Sequence, residues 1–379
     1  MSWLWLAALA LLPVLDSLYR LVLLCCSHRW TRRVRQGGEP AGYLVLVPAR
    51  AEGEGVEPTL RSLVSAADGV KDRVLLLLDG PDPAAAEVAG RLGVEVVVKE
   101  PAGPSKGAVL GWACAHLWED IERAGAVFVL DVGSTVGPGF FRQLKWAPGA
   151  DGVQAFLSGT GLGPARTAAL SEQIAQRHED CGREVLGWSV RLRGTGFALT
   201  PAAFATIAGR LVTQVEDTEM SLLLAERGTR LVMGPRQAVV FDEKPELVAD
   251  AARQRARWLA GQLSLPLRQP GALARVLLRS PLEGLGFVAE IAGRPLSLTV
   301  PLRLLVAVLA GLQARDFGLL SPAGIVALVA AVSAVFDVLL NALSADFRLG
   351  SALSLILSWM RAIVLLPRAF LSWMVARRS

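Results

Sequence analysis

Long apolar runs mark the N-terminal end of the chain. Trp3–Cys26 is an apolar run of about 24 residues, interrupted only by the charges of Asp16 and Arg20, and it is long enough to cross a hydrocarbon core of roughly 30 Å. The run lacks the basic start and the small-residue cleavage site of a signal peptide. We therefore predict a transmembrane helix within residues 1–27.

The C-terminal region holds further candidate spans of unequal quality. Phe317–Phe336 is uncharged, whereas Leu296–Leu312 contains Arg303 and Leu349–Leu366 contains Arg361. A charge inside an apolar helix favours a position against other helices over one against lipid. We predict about three spans in this part of the chain.

Short apolar runs alternate with amphipathic segments between these ends. Buried strands are predicted at residues 43–47, 73–78, 94–98, 126–130 and 153–157, and helices at residues 56–67, 83–92, 105–123 and 164–186. Continuous apolar strands that alternate with helices are typical of a mostly parallel sheet covered on both faces. In such sheets, ligands bind beyond the carboxyl ends of the strands.

The composition supports this division of the chain. Of the 379 residues, 53% are hydrophobic and only 19% are charged, which excludes a disordered chain and disfavours a purely soluble enzyme. The net charge of +5 is too small to indicate a nucleic-acid partner. The four cysteines show no metal-binding spacing, so neither a zinc site nor a disulfide scaffold is predicted. These features indicate a membrane-anchored enzyme.

Basic residues follow the first apolar run directly. They are Arg29, Arg32, Arg33 and Arg35. An excess of arginine beside a span predicts that the following domain lies in the cytoplasm, here with the N-terminus outside, as expected of an integral protein of a bacterial inner membrane. The same arginines can also hold the anionic headgroups of membrane lipids.

Acidic residues follow three of the predicted strands. Glu52 lies after the first strand, Asp79 at the end of the second, and Asp131 after the fourth. Such a rim can bind ribose hydroxyls, a base N–H or a divalent cation, although Asp and Gly also mark ordinary turns. Motifs for dinucleotide, P-loop or serine-hydrolase chemistry are absent from the sequence.

Three further segments carry candidate chemistry. Lys106 lies at a loop-to-helix junction where backbone N–H groups and one cation can hold phosphate. Residues 193–197 form a glycine-containing loop that permits close approach to a ligand. Glu216 and Asp217 precede a helix, where a carboxylate can act as a general base or simply cap the helix. His178, isolated on a predicted helix, is interpreted as structural.

The ordered combination of these motifs resembles the family 2 glycosyltransferases, the inverting GT-A enzymes that include cellulose, chitin and hyaluronan synthases. The resemblance covers roughly residues 43–262 and rests on Pro48-Ala49-Arg50-Ala51-Glu52, Asp79, Lys106, Leu130-Asp131, Gly194-Thr195-Gly196, Glu216-Asp217 and Gln254-Arg255-Ala256-Arg257-Trp258. The last segment matches the QxxRW motif, the most specific of the set. The resemblance implies a Rossmann-like GT-A domain in the cytosol, with a mostly parallel sheet, flanked by N- and C-terminal transmembrane helices.

The resemblance also implies a role for each matched residue. The nucleotide base and ribose would contact Pro48, Arg50, Glu52 and Asp79; the diphosphate would approach Lys106; a metal ion or the ribose would bind Asp131. Asp217, beside Glu216, would be the base that deprotonates the acceptor hydroxyl. The diphosphate and acceptor sites would be bordered by Gln254, Arg257, Trp258, Gly194, Thr195 and Gly196.

One departure from the family pattern concerns the metal. The second acid of the DxD element is replaced by Gly133, and Ser134 is the next polar residue. Mg²⁺ or Mn²⁺ is still expected as the cofactor, held by Asp131 and the diphosphate; weak metal dependence and lost activity are the alternatives.

The expected protein is thus a membrane-bound inverting transferase that moves a sugar from a nucleotide sugar, such as a UDP-sugar, to a lipid or polysaccharide. Interfacial helices are expected over residues 263–294 and the C-terminal spans over residues 295–379. The alternative is a catalytically impaired subunit with a regulatory or assembly role.

Overall fold

The structure is a computed structural model that describes residues 3–30, 40–67, 71–160, 164–213, 215–244, 246–293, 296–315 and 317–342. Its strands are β1 Gly42–Ala49, β2 Arg73–Asp79, β3 Glu95–Lys99, β4 Gly125–Val129, β5 Ser134–Val136, β6 Gly152–Gln154, β7 Phe156–Thr160, β8 Phe197–Leu199, β9 Leu231–Met233 and β10 Val239–Glu243. Its helices are α1 Trp3–Ser27, α2 Glu57–Ala66, α3 Pro83–Arg91, α4 Lys106–His116, α5 Trp118–Ala124, α6 Phe140–Gln143, α7 Pro164–Ile174, α8 Cys181–Val185, α9 Pro201–Ile207, α10 Glu216–Arg227, α11 Val248–Arg268, α12 Pro270–Arg279, α13 Pro281–Gly293, α14 Leu296–Ala314 and α15 Pro322–Ala342.

The middle of the chain forms a central sheet with the strand order β3-β2-β1-β4-β8-β6-β9. Strands β1 to β4 pair in parallel, and β8 pairs antiparallel with both β4 and β6. Leu44 and Leu46 belong to the hydrophobic cluster on one face of β1, whereas Val45 and Val47 belong to the cluster on the other face. Because both faces of the sheet are buried, β1 is apolar without alternation. The predicted α/β architecture with a mostly parallel sheet is confirmed.

Two predicted elements are divided in the structure. The strand predicted over residues 153–157 is two strands, β6 and β7, which are separated at Ala155 and pair in different sheets. The single helix predicted over residues 105–123 is wrong, because Leu117 leaves helical geometry with φ −117° and ψ 23°. Glu119 and Asp120 then occupy the first turn of α5, where negative charge stabilises a helix N-terminus.

A π-helical segment, Ala175–Asp180, lies between α7 and α8. The helical run predicted over residues 164–186 is therefore present, but it is irregular in its middle. Single π-turns within helices occur frequently at functional sites. Here the π segment places two adjacent carboxylates, Glu179 and Asp180, in buried positions.

Three apolar helices pack together at one end of the molecule. Leu6 and Ala10 of α1 form a buried cluster with Val306 and Ala310 of α14 and with Ala330 of α15. By length and composition, Trp3–Ser27 and Pro322–Leu340 are long and apolar enough to cross a membrane, and Thr299–Ala314 is a shorter apolar helix.

The last described helix begins later than the predicted span over residues 317–336. Gly318 has φ +81°, and the Ser321 hydroxyl accepts a hydrogen bond from the Gly324 N–H, so α15 begins at Pro322. Proline is favoured in the first helical turn because its missing N–H would have no partner there. The third predicted span, residues 349–366, lies outside the described residues.

Charged side chains inside these apolar helices neutralise one another. Asp337 of α15 accepts from the guanidinium of Arg303 at 2.6 Å and from the hydroxyl of Ser17 at 2.7 Å, and it also pairs with Arg20 of α1. All four residues are buried. The charge within the run predicted over residues 296–312 thus faces neighbouring helices.

Candidate active site

The three acidic strand ends predicted from the sequence meet at one edge of the central sheet. Strands β1 and β2 are parallel neighbours, and β4 lies parallel to β1 on its other side. Glu52, Asp79 and Asp131 therefore leave the sheet at its carboxyl edge. Glu52 is exposed, whereas Asp79 is buried at 6% exposure.

Asp79 organises one side of this edge. Its Oδ1 accepts a hydrogen bond of 2.6 Å from the Gly103 N–H, and its Oδ2 lies 3.7 Å from the guanidinium of Arg50. Arg50 also donates to the Gly103 carbonyl at 2.8 Å, while 58% of its side chain remains exposed. The buried carboxylate holds the loop before Lys106 against the β1 exit, and Arg50 presents a cation to solvent.

The backbone just after β1 adopts a conformation that is rare for residues other than glycine. Ala51 has φ +53°, the only positive φ at a non-glycine residue in the described parts of the chain, and Gly53 also has φ +53°. The Gly53 N–H donates to Asp82 Oδ2 at 2.9 Å, and Asp82 also caps α3. Strained backbone of this kind is frequent at ligand sites.

Lys106 joins the segment after β4 to the glycine loop. Its Nζ lies 2.5 Å from Asp131 Oδ1 and donates to the Gly194 carbonyl at 2.6 Å. Asp131, Glu216 and Asp217 all raise the pKa of this ammonium, outweighing the opposite effect of burial, which is the largest single influence. Lys106 therefore stays protonated, with three carboxylates around it.

Hydrogen bonds hold the glycine loop against the β4 exit. Thr195 Oγ1 accepts from the Asp131 N–H at 2.9 Å and donates to Ser134 Oγ at 3.3 Å. Ser134 in turn donates to Asp242 at 3.2 Å, and Asp242 pairs with Lys244 at 2.5 Å. The structure thus explains the threonine in this loop, because its hydroxyl links the glycine loop to the segment after β4.

Asp217 lies at the N-terminus of α10, facing the same loop. Its Oδ1 accepts a 2.7 Å hydrogen bond from the Thr218 N–H, and a Cβ at Gly194 would be 3.8 Å from its Oδ2. Burial raises the pKa of Asp217, although the Thr218 hydrogen bond and the charges of Lys106 and Arg193 oppose that shift. A carboxylate with a raised pKa is a stronger proton acceptor once ionised, which suits a general base.

Glu216 shares this environment. Burial is the main cause that raises its pKa; Lys106 opposes the shift and the neighbouring Asp217 adds to it. The structure thus brings Lys106, Asp131, the glycine loop and the Glu216–Asp217 pair into one site.

The first residue of the loop is anchored from behind. Arg193 Nε donates to Asp180 Oδ2 at 3.0 Å, and Asp180 Oδ1 pairs with Arg183 at 2.7 Å. Arg183 and Arg191 both contact Glu290 of α13, at 2.9 and 3.2 Å. No role is predicted from the sequence for Arg193 or Asp180. The sequence feature that could have indicated them is the pair of adjacent acids, Glu179 and Asp180, in an otherwise amphipathic segment.

The QxxRW residues lie on α11, which packs against the start of α10. A Cβ at Gly261, one turn beyond Trp258, would be 2.6 Å from Val215, the residue before Glu216. Gln254 is half-buried, whereas Arg257 and Trp258 are exposed. Within the described residues, Gln254 and Arg257 form no hydrogen bond or ion pair, so their polar groups are available to a ligand.

The acidic side chains at the site determine how it could hold a divalent metal ion. Groups of three His, Cys, Asp or Glu side chains able to hold a metal ion are absent from the described residues. Gly133 has φ +88°, and the space around a Cβ at this position is open. Asp131 is therefore the one carboxylate of the Asp131–Gly133 element. It suits Mg²⁺ or Mn²⁺ that takes its remaining ligands from substrate phosphates and water, as Mg²⁺ commonly does, and it does not suit a metal held by the protein alone.

Comparison with known proteins agrees with this geometry. A family model described as glycosyl transferase family group 2 matches residues 126–374, and the chain belongs to this family. It is thus a family 2 glycosyltransferase. None of the curated proteins matches the sequence.

Two solved structures illustrate the similarity. A mannosyltransferase from Pyrobaculum calidifontis in complex with GDP-Man and Mn²⁺ is 15% identical, with a TM-score of 0.52 over 90% of this chain and 100% of that one. A glucosyl-3-phosphoglycerate synthase from Mycobacterium tuberculosis in complex with Mn²⁺, UDP and glucosyl-3-phosphoglycerate is 17% identical, with a TM-score of 0.39 over 64% of this chain and 82% of that one. The first likeness supports the GT-A fold.

Proposed function

We propose that the protein transfers a sugar from a nucleotide sugar to a lipid or polysaccharide acceptor at the cytoplasmic face of a membrane, with inversion at the anomeric carbon. The observation that carries the proposal is the position of Asp217, across the Gly194 loop from the Lys106–Asp131 ion pair. A base and a cation that both lie beside this loop provide the two functions that sugar transfer requires.

The donor would occupy the carboxyl edge of the sheet. Arg50 and Glu52, which are exposed at one side, are available to the base and ribose, with Pro48 beside them at the end of β1. The buried Asp79 would position Arg50 and the Gly103 loop for this contact. The diphosphate would extend toward Lys106, which remains positively charged. UDP-sugars are the first donors to test, and GDP-mannose is included because the Pyrobaculum protein was solved with it.

The chemical step follows from these positions. The Asp217 carboxylate accepts the proton of the acceptor hydroxyl, and the hydroxyl oxygen forms a bond to the anomeric carbon. The bond from that carbon to the diphosphate oxygen breaks on the opposite face, and the nucleoside diphosphate carries the electron pair away. Lys106, with Arg257 from the QxxRW segment, stabilises the departing charge.

A divalent cation would be held by Asp131 together with the donor phosphates. When bound, it supplies additional positive charge at the leaving group. Gly133 leaves the protein with one carboxylate at this position, so metal affinity in the absence of donor is expected to be weak.

The membrane assignment rests on the apolar helices α1 and α15 and on the arginines that follow α1. The two helices are packed together with α14, which favours insertion as a bundle. A lipid or a growing glycan would then approach Trp258, which is exposed on α11 and offers an apolar face to a sugar ring.

The experiment is release of nucleoside diphosphate by the purified full-length protein in lipid nanodiscs, with a panel of UDP-sugars and GDP-mannose. We expect release with at least one donor, and a loss of about 10²–10⁴-fold in the Asp217→Asn variant. Asp120→Asn, which removes a half-buried carboxylate paired with Arg73 away from the candidate site, is the matched control. Equal rates in wild type and Asp217→Asn with every donor would instead favour the impaired-subunit alternative.

A further inference from the structure

A cavity of about 320 Å³ lies where α1 ends, away from the glycine loop. Its walls are formed by Ser27, His28, Trp30, Arg177, His178 and Arg236. They come from the end of α1, the π segment and the loop between β9 and β10. Four of the six carry basic groups and none is acidic.

Among the described residues, the two arginines of this cavity have no carboxylate partner, unlike other arginines that contact the π segment. Arg20, Arg183 and Arg193 are each paired with Glu179 or Asp180 of that segment. In the part of the chain that the structure describes, neither Arg177 nor Arg236 forms an ion pair, and both are exposed. Their charges are therefore available to an anion.

Two carboxylates on the elements that form this cavity and on the adjoining helix α8 have other partners. Glu179 accepts from Arg20 at 2.9 Å, and Glu184 Oε2 accepts from the Trp30 indole at 2.9 Å and from the Met233 N–H at 3.0 Å. The indole is thus fixed in orientation. The guanidinium of Arg236 lies over its ring, 5.4 Å from the centroid, which holds this cation at the cavity.

The basic groups of the cavity repel one another. The pKa of His178 is lowered mainly by burial, and the charges of His28, Arg177 and Arg236 add to that effect, with Glu179 opposing it. The pKa of His178 therefore depends on the charges of all three other basic residues of the cavity. An anion placed among them would relieve this repulsion.

The cavity is separate from the active site. Arg236 precedes β10, whereas Asp242, which joins the hydrogen-bond chain to Thr195 and Asp131, lies near the other end of that strand. The three steps from Val239 to Asp242 span about 10 Å at roughly 3.3 Å per strand residue.

We infer that the cavity binds the phosphate group of an anionic membrane lipid. The placement at the end of an apolar helix of membrane-spanning length puts it at headgroup level, where cationic side chains attract anionic lipid. Arg177 and Arg236 donate to the phosphate oxygens, and the Ser27 hydroxyl lies at the same wall. The inference goes beyond sugar transfer and does not depend on it.

The test measures binding by titration calorimetry with the full-length protein in neutral detergent. Three probes are compared: short-chain phosphatidylglycerol, short-chain phosphatidylcholine and inorganic pyrophosphate. The variants are Arg177→Gln/Arg236→Gln and, as a control with the same loss of charge, Arg61→Gln/Arg91→Gln. The control arginines are exposed on α2 and α3, beside Glu57.

We expect wild type and control to bind phosphatidylglycerol more tightly than phosphatidylcholine, and the cavity variant to lose about tenfold or more in affinity for phosphatidylglycerol. Arg177→Lys/Arg236→Lys should retain most of the binding, which separates charge from folding. Equal affinity in the cavity variant and the control would overturn the inference. Cavity-dependent binding of pyrophosphate but not of lipid would overturn the lipid assignment.

Discussion

Asp180 and Arg193 form an ion pair behind the candidate active site, with 3.0 Å between the carboxylate Oδ2 and the guanidinium Nε. Asp180 is fully buried, and Arg193 is the residue directly before the glycine loop that faces Asp217. The glycine loop is thus held by the hydrogen bond from Lys106 to the Gly194 carbonyl and by the ion pair between Arg193 and the buried Asp180. Its position therefore depends on contacts in the protein interior.

Replacement of Arg193 tests this arrangement. The charge of Arg193 lowers the pKa of Asp217, so Arg193→Gln should raise that pKa further. Because the base must be ionised, activity increases as pH rises through this pKa, and the acidic limb of the kcat profile should move to higher pH. A fall in kcat of about 10–10²-fold is expected from misplacement of the loop.

The conservative variant Arg193→Lys separates charge from shape. It should restore the position of the acidic limb more fully than it restores kcat, because lysine keeps the charge but not the two-pronged contact with Asp180. An unshifted pH profile in Arg193→Gln would contradict the electrostatic part of this prediction.

Asp217→Asn should make the protein more stable while it removes activity. The pKa of Asp217 is raised in the folded state, so the folded state binds the proton more tightly than the unfolded state does. Between the unfolded pKa, about 3.9, and the folded pKa, stability therefore falls as pH rises. At neutral pH the uncharged asparagine avoids this cost, and the midpoint of thermal unfolding should increase.

The stability gain of Asp217→Asn should disappear in acid, below about pH 4, where the aspartate is protonated in both states. Thermal melts of both proteins at neutral and acidic pH provide the measurement. A gain that persists unchanged at low pH would point to packing as the cause.

Gly133→Asp should strengthen metal binding. Space around a Cβ is open at this position, and aspartate tolerates positive φ better than most residues, so the change is expected to cost no more than about 1–2 kcal/mol. The second carboxylate should lower the Mn²⁺ concentration needed for half-maximal activity by about tenfold. Gly133→Ala introduces backbone strain at the same position without adding a ligand and serves as the control. Electron paramagnetic resonance of Mn²⁺ gives a readout independent of activity.

Lys106→Met should impair use of the donor. This side chain is the cation shared by Asp131, Glu216 and Asp217, so its loss removes charge stabilisation of the diphosphate and leaves the carboxylates repelling one another. We expect kcat/KM for the donor to fall by about 10²–10³-fold. Lys106→Arg should retain part of the activity; equal defects in the two variants would show that the exact length of lysine is needed.

The sequence predicted those parts of the site that depend on local order along the chain. Asp79 and Asp131 follow apolar strands, and parallel strands bring their ends to one edge, so their neighbourhood could be inferred before the fold was known. Lys106 and Asp217 could be placed in that neighbourhood only through the resemblance to family 2 glycosyltransferases. Asp217 lies at the start of a helix, where capping is the more common role, and Lys106 follows Ser105, the residue that caps α4.

Contacts between distant charges could not be predicted in this way. Arg303 appears in the sequence as an interruption of an apolar run, yet in the structure it is paired with Asp337 and stabilises the packing of α14 against α15. Both partners of Arg20 on α1 lie more than 150 residues away, Glu179 on the π segment and Asp337 on α15. Nothing in the local pattern of either helix specifies such a partner. The local pattern also does not specify the division at Ala155, because β6 and β7 pair with strands of two different sheets.

The adjacency of Glu179 and Asp180 has a practical consequence for anyone seeking a soluble form of this enzyme. One carboxylate is neutralised by Arg20 of the first helix, and the next by the residue that begins the glycine loop. Removal of residues 1–30 would take away the Arg20 guanidinium and also the surface of α1 that packs against the π segment, so Glu179 would lose its cation and its cover at the same time. The truncation would therefore disturb the backbone one residue away from Asp180, which anchors the glycine loop.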